Sequence, residues 1–221
     1  MRYATIVCAI VLASGTTANA DDQACLGCHP MIQAAIQAAA SNGISHPAIA
    51  LGCATCHVDH GPNPTTAAAS QYLKATGSAL CQTCHAGVLA KEFVHEPAKT
   101  DCSFCHNPHG GPGANLRAES NALCLECHST DAKSKFGKET PTKLFTGQVT
   151  VPAGTFGEVK LVDLHADRGH PVSNHPVLRA ADKEWPAVSC VACHNPHGAN
   201  NSPAFLQNES ETFLLCLRCH Q

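Results

Sequence analysis

The chain has few of the side chains that normally fill a protein interior. Aromatic residues make up 5% of its 221 residues, Trp occurs once and Met twice. Because aromatic side chains dominate the packing of ordinary cores, this composition does not predict a conventional core. It indicates instead that something other than side chains occupies part of the interior.

Long apolar runs are also scarce. The one that stands out is the segment 5–15, which follows Arg2 and precedes the small-x-small pattern Ala18-Asn19-Ala20. It is too short to cross a bilayer, and this order of charge, apolar run and small residues is typical of a secretory signal peptide. We therefore predict a signal peptide at 1–20, export to the periplasm or the extracellular space, and no membrane span in the remainder.

Strong charge of either sign is missing as well. The formal net charge is −3, and the basic residues are scattered apart from a loose group of Lys between 133 and 143. Nucleic-acid binding needs clustered positive charge, so nucleic acid is not an expected partner. The Lys group is interpreted as part of a solvated loop.

Cysteine and histidine, by contrast, are abundant, with 15 of each. Apart from Cys8, which lies in the predicted signal peptide, every Cys belongs to a Cys-x-x-Cys pair that is followed at once by His. The seven motifs, numbered first to seventh in chain order, are Cys25/Cys28/His29, Cys53/Cys56/His57, Cys81/Cys84/His85, Cys102/Cys105/His106, Cys124/Cys127/His128, Cys190/Cys193/His194 and Cys216/Cys219/His220.

Cys-x-x-Cys-His is the attachment signal for c-type haem, in which two thiols bond to one haem and the adjacent His binds its iron. Fourteen cysteines in an exported chain could instead form a disulfide scaffold, and repeated Cys-x-x-Cys pairs could bind structural zinc. Neither alternative requires a His after every pair. The sequence therefore predicts seven covalently bound haems, with iron as the metal.

Seven haems need seven second axial ligands. Met is the usual alternative to His, but after the signal peptide only Met31 is present. The remaining histidines are His46, His60, His95, His109, His165, His170, His175 and His197. Their number predicts bis-His ligation, which leaves no open iron position for a substrate and favours electron transfer over catalysis.

The motifs repeat as three two-haem units, at 46–85, 95–128 and 175–220. Each unit has an upstream His, a first motif, a downstream His three residues after the motif His, and a second motif. The link to the downstream His is too short to pass around the haem edge, so this His must bind another iron. We assign the downstream histidines to the second haem of their own unit and the upstream ones to the first haem: His60, His109 and His197, and His46, His95 and His175.

The haem of the first motif stands outside the three units. Its second ligand is predicted to be His170 or His165. His170 is preferred because a Pro follows it, as Pro follows other assigned ligands, and His165 would then be spare. His170 and His175 could exchange roles.

Two runs, Cys102 to Gly110 and Cys190 to Gly198, read Cys-x-x-Cys-His-Asn-Pro-His-Gly, and 169–176 contains two further His-Pro pairs. With these motifs the chain resembles the doubled-CxxCH multihaem cytochromes c over roughly 25–220. The resemblance implies closely stacked bis-His haems in a periplasmic or extracellular electron carrier, conduit subunit or haem-wired filament. The first unit departs from the pattern, with Val58-Asp59 in place of Asn-Pro, and the third has a longer gap after its upstream His175.

The expected fold consists mostly of irregular loops with short α-helices, wrapped around a stacked haem chain. Pro30 to Ala40 is Ala-rich and begins with Pro, which predicts a helix. Two β-branched runs, 143–151 and 158–164, flank a Pro/Gly-containing turn and predict one small β-hairpin at about 143–164, serving as a spacer or a docking surface. We expect a five-haem lobe at 21–128, a linker at 129–174 and a two-haem lobe at 175–221.

Three functions fit this organisation. The leading hypothesis is an electron carrier without catalysis, whose partners are redox proteins such as other multihaem cytochromes or an outer-membrane conduit. An oxyanion reductase would need one iron with an open position. A protomer of a conducting filament would need self-assembly that brings haems of neighbouring copies together.

Overall fold

The computed structural model of the protein describes residues 20–61, 72–130, 136, 139–157, 159–162, 177, 188–200, 202–207, 212–217 and 220. The predicted signal peptide, apart from its last residue, lies outside these ranges. So do His165, His170, His175 and Cys219.

Short helices separated by irregular loops make up most of the described chain. The α-helices are α1 (Ala20–Cys28), α2 (Pro30–Ser41), α3 (Ser78–His85), α4 (Glu96–Thr100), α5 (Ser120–His128), α6 (Cys190–Cys193) and α7 (Thr212–Cys216). Short 3-10 helices span Pro47–Leu51, Cys53–Thr55, Ala86–Leu89, Cys102–Phe104 and Phe145–Gly147. Helix α2 confirms the helix predicted from Pro30. None of the helices in the described ranges has the length and apolarity needed to span a bilayer.

Helical turns carry several of the Cys-x-x-Cys-His motifs. The third motif ends α3 at His85 and the fifth ends α5 at His128. Residues three apart lie on the same side of a helical turn. Both thiols of such a motif can therefore face the same edge of one cofactor.

Two small antiparallel sheets are present in the described residues. In the first, β1 (Phe93–Val94) pairs with β4 (Gly198–Ala199), with Phe93 opposite Ala199. In the second, β2 (Thr142–Leu144) pairs with β3 (Val149–Val151), with Lys143 opposite Thr150. The β1–β4 pair joins strands about 100 residues apart in the chain, so it is a tertiary contact rather than a local hairpin.

A β-hairpin is present at 142–151, but it is not the predicted one, because β2 and β3 both come from the segment expected to form the first strand alone. The segment expected to form its first strand is itself folded back at Phe145 and Thr146, which both have left-handed backbone angles, φ 50° and 55°. In the segment expected to form the second strand, residues 159–161 are not in a strand, and Val162 makes one parallel bridge with Ser129. Residues with positive φ match the twist of a tight hairpin turn, and here they shorten the hairpin to 142–151.

The hairpin also contributes most of a small apolar cluster, which we call the hairpin core. It consists of Phe104, Leu144, Val149 and Val151, and Leu144 and Val151 are each only 2% exposed. Cys105 and Cys127 pack against this cluster. The hairpin core therefore lies directly beside the fourth and fifth motifs. Elsewhere in the described residues, few apolar side chains are buried, in agreement with the low aromatic content.

Contacts also join the two predicted lobes, whose division stays a prediction. Asn121, at the start of α5, donates side-chain hydrogen bonds to the carbonyls of Val177 at 2.8 Å and Val188 at 3.0 Å. Its Oδ1 accepts from the backbone N–H of Cys190 at 2.8 Å. One side chain thus connects the helix of the fifth motif to the start of the sixth.

Candidate haem-binding sites

The cysteines of consecutive motifs lie side by side. The Cys81 thiol donates a hydrogen bond to the Cys102 sulfur, which raises the pKa of Cys81. The Cys124 thiol likewise donates to the Cys190 sulfur, which raises the pKa of Cys124. Cys25 lies within hydrogen-bonding reach of Cys53, whose pKa burial raises to about 11.

Two further pairs of motifs have cysteines close enough to interact electrostatically. Cys56 does so with Cys81 and Cys84, and Cys105 with Cys124. Cysteines of consecutive motifs therefore lie near one another from the first motif to the sixth.

Ten histidine rings form five close pairs, and each pair joins one motif His to one of the other histidines. The pairs and their centroid distances are His29–His60 at 5.8 Å, His57–His109 at 5.8 Å, His85–His46 at 6.1 Å, His106–His197 at 6.1 Å and His128–His95 at 5.9 Å. The planes range from nearly parallel, at 16° for His106 and His197, to nearly perpendicular, at 84° for His29 and His60.

These distances fit a metal ion between the two rings. A metal–imidazole bond is about 2.0–2.1 Å long, so imidazoles on opposite sides of one metal have ring centres about 6.4 Å apart. The observed pairs come within about 0.6 Å of that value. A porphyrin would supply the remaining four ligands, so the residues present fit haem iron.

Backbone carbonyls orient several of these rings. Nδ1 of His128 lies 2.7 Å from the Lys160 carbonyl, and Nδ1 of His95 lies 3.0 Å from the Pro196 carbonyl. His60, His106 and His194 make the same kind of contact. Because a carbonyl can only accept, Nδ1 carries the proton and Nε2 keeps its lone pair for a metal.

Burial also favours the form of the ring that a metal binds. It lowers the pKa of His95, His109 and His197 below the ordinary value for histidine. A neutral imidazole is required for metal ligation. Burial therefore favours the neutral form of these three rings, which is the form that binds a metal.

The ring pairs differ from the partners predicted from the sequence. The rings of His57 and His60 belong to different pairs, as the argument from the short link requires of their ligands. The neighbours found are not the predicted ones: His60 lies beside His29 and not His85, His109 beside His57 and not His128, His197 beside His106 and not His220, His46 beside His85 and not His57, and His95 beside His128 and not His106. Which iron each of these histidines binds stays a prediction. The link length excludes only the nearest iron, and it does not determine which other motif lies opposite.

The second ligands of the sixth and seventh motifs stay predictions. Their candidates, His165, His170 and His175, lie outside the described residues. For the first motif, whose second ligand was predicted to be His170 or His165, the ring found beside His29 is that of His60.

Sequence reasoning missed a segment that returns to the first motif of each unit. In the first unit, Val58 donates its N–H to the carbonyl of Tyr72 at 2.9 Å, and Lys74 donates to that of Cys56 at 2.9 Å. Corresponding pairs of bonds are Asn107 to Asn115 and Arg117 to Cys105, and Asn195 to Phe205 and Gln207 to Cys193. A central Leu followed by Lys, Arg or Gln is the sequence signal that could have identified these segments.

The described chain has cysteine pairs on helical turns, and pairs of imidazole rings that leave room for one metal ion between them. This combination is typical of proteins that bind haem covalently. The pattern of the family described as "Doubled CXXCH motif" matches residues 46–89, 95–133 and 180–221. These matches cover more than half of the chain, and the chain belongs to this family. They confirm the three two-motif units, although the third match begins after His175.

Two curated relatives support the same assignment. The chain is 30% identical to the "Multiheme cytochrome MtrA" of Shewanella baltica (strain OS185) over 136 residues, which is 58% of this chain and 38% of that protein. It is 26% identical to the "C-type polyheme cytochrome OmcC" of Geobacter sulfurreducens over 202 residues, 87% of this chain and 22% of that protein. The chain thus spans well under half the length of either relative. The resemblance to multihaem cytochromes c is confirmed, and the doubled motifs indicate covalently bound haem c.

Proposed function

We propose that this protein is a heptahaem c-type cytochrome that carries electrons along a chain of bis-His haems, in the periplasm or outside the cell. The observation that carries the proposal is the set of five imidazole pairs, each joining a motif His to a second His at 5.8–6.1 Å. When bound, haem iron supplies a one-electron couple between its ferric and ferrous states. Two histidines per iron would leave no position on the iron for a substrate.

Contacts between motifs support transfer from one haem to the next. The sulfur atoms of Cys81 and Cys102 lie next to each other, although each belongs to a different motif. His57 and His60 lie three residues apart but contact rings of different pairs. These short connections hold neighbouring cofactors close together, so electrons can move between them without a change of conformation.

The proposed architecture is a polypeptide wrapped around its haems. If residues 1–20 are removed, 201 residues serve seven haems, about 29 residues each. The hairpin core is small, so porphyrins would supply most of the apolar interior. Folding then depends on haem attachment, as it depends on metal in small metal-binding domains.

The partners follow from this chemistry. A protein without an open iron receives and delivers electrons at exposed haem edges, so its partners are other redox proteins. Because the relatives are multihaem cytochromes, we infer that other multihaem cytochromes, an outer-membrane conduit or further copies of this chain take this role.

Haem content and carbon monoxide binding test the proposal. The exported full-length protein is purified, and its intact mass counts the haems. The reduced optical spectrum is then recorded before and after addition of carbon monoxide. We expect seven haems and no spectral change, because carbon monoxide needs a vacant iron position. A bound species at one haem would contradict complete bis-His ligation and favour the reductase hypothesis.

A further inference from the structure

We propose that the three two-motif units are interlocked in series, because each unit donates its downstream His to a haem attached earlier in the chain. His109 of the second unit is the second ligand of the haem on Cys53 and Cys56. His197 of the third unit is the second ligand of the haem on Cys102 and Cys105. The inference rests on the proposed haem ligation and adds which unit completes which iron.

The ring geometry repeats the same relation three times. His60, His109 and His197 occupy equivalent positions in their units. Each meets the motif His of an earlier motif, at 5.8, 5.8 and 6.1 Å between centroids. For His109 and His197 the partner belongs to the first motif of the preceding unit, and the ring planes are nearly parallel, at 20° and 16°.

The Asn-Pro-His-Gly loops direct these rings away from their own motifs. The Oδ1 of Asn107 accepts the backbone N–H of His109 at 3.2 Å, and the Oδ1 of Asn195 accepts that of His197 at 3.0 Å. An Asn that bonds to the backbone two residues ahead forms a tight turn. Both loops therefore present the His from a fixed turn.

The loop of the third unit is docked on the start of the second unit. Its strand β4 pairs with β1, and the N–H of His95 donates to the His197 carbonyl at 3.3 Å. The N–H of Glu92 donates to Oδ1 of Asn200 at 3.1 Å. Gly198 has φ +136°, and a Cβ there would overlap the Phe93 carbonyl. Glycine thus allows the close approach that brings His197 to the second unit.

The loop of the second unit is docked in the same way on helix α2, which precedes the first unit. Gly110 has φ +141°, and a Cβ there would lie 2.7 Å from the Ala35 carbonyl and 3.0 Å from Cβ of Ala39. Ala39 is only 4% exposed. Two independent loops therefore insert into the part of the chain that precedes the unit whose iron they complete.

The interlock has a consequence that independent two-haem modules would not have. His106 binds the fourth haem and His109, three residues later, binds the second. His197 then completes the fourth haem from the third unit. Loss of His109 or His197 therefore opens an iron in the preceding unit and leaves the irons of its own unit capped.

The test uses His197→Ala in the full-length haem-loaded protein, with carbon monoxide binding as the readout. We expect one haem per protein to bind carbon monoxide. A second substitution then identifies that haem. Adding Cys102→Ala and Cys105→Ala removes the fourth haem and should abolish the new signal. Adding Cys216→Ala and Cys219→Ala removes the seventh haem and should leave the signal intact.

The reverse pattern, a signal lost with the seventh haem and kept without the fourth, would overturn the interlock. Intact mass of each variant shows which haems are attached. A wild-type protein without haem, or with an open iron, would contradict the proposed function itself. The two failures are therefore distinguishable.

A glycine substitution tests the docking without removing a ligand or a haem. Gly198→Ala should displace the third-unit loop and open the fourth haem to carbon monoxide, whereas Gly61→Ala, the matched position of the first unit, should not. If the variants do not accumulate, an electron microscopy structure of the wild-type protein shows which haem His197 binds. Nε2 of His197 on the fourth haem supports the interlock, and Nε2 of His197 on the seventh contradicts it.

Discussion

The downstream loop of the first unit and that of the third unit perform the same task with different local structures. In the first, the carboxylate of Asp59 accepts the N–H of Gly61 at 2.8 Å, and a Cβ on Gly61 would meet nothing within 4 Å. In the third, the Asn195 amide sets the turn, and Gly198 is pressed against Phe93. Both loops place a His about 6 Å from a motif His.

The difference between the two loops shows which residues place the His beside another ring and which residues allow the loop to pack on the preceding chain. A His three residues after the motif is sufficient to reach another ring, because the first unit achieves this with Val-Asp in place of Asn-Pro. The glycine that follows is sterically required only where the loop packs on an earlier element. The glycine after the His is common to all three loops, but only in the second and third units does close packing on the preceding chain require it.

The largest expected effect comes from removing the haem, which should affect the loops of the first and third units alike. Protein made without haem attachment should lose hydrogen-exchange protection in the loops at 57–61 and 194–198 alike, because each loop is held by an iron ligand. Mass spectrometry of exchanged peptides measures this, with the same peptides of the haem-loaded protein as the reference. Protection of the third-unit loop in haem-free protein would mean that its docking is independent of haem.

A smaller effect is expected from alanine substitution of the loop glycines in the second and first units. Gly110→Ala should destabilise the haem-loaded protein by about 2–5 kcal/mol, since overpacking costs about 1–3 kcal/mol and an unfavourable backbone angle adds to it. Gly61→Ala should cost about 1–2 kcal/mol, because only the left-handed backbone opposes the methyl group. Urea denaturation followed at the haem absorption band compares them. Equal costs would refute the claim that only the second-unit loop is sterically pinned.

The smallest effect comes from the turn side chains. Asn195→Ala and Asp59→Ala each remove one side chain to backbone hydrogen bond, worth about 0.5–1.5 kcal/mol. We expect similar small losses of stability in the same denaturation experiment, with no new carbon monoxide binding. A vacant iron in the Asn195 variant alone would show that the turn, and not the strand pairing, positions His197.

Local features were predictable from the sequence because they depend on adjacent residues. The seven motifs, the helix from Pro30 and the rule that the rings of His57 and His60 join different pairs all involve a few neighbouring positions. The bounds of the hairpin were not predictable. Its turn contains Phe145 and Thr146 at positive φ, where Gly or Asn would be the usual signal, so the turn was placed several residues too late.

The sequence by itself determined the cofactor chemistry and the set of available ligands, since two thiols and a His within five residues specify one haem without help from the rest of the chain. Only the tertiary structure decided which second His meets which motif. His197 and His106 are brought together by the pairing of β1 with β4 and by the close approach of Gly198 to Phe93. Such contacts join distant parts of the chain, and no local spacing encodes them, because many partners are compatible with the same short link.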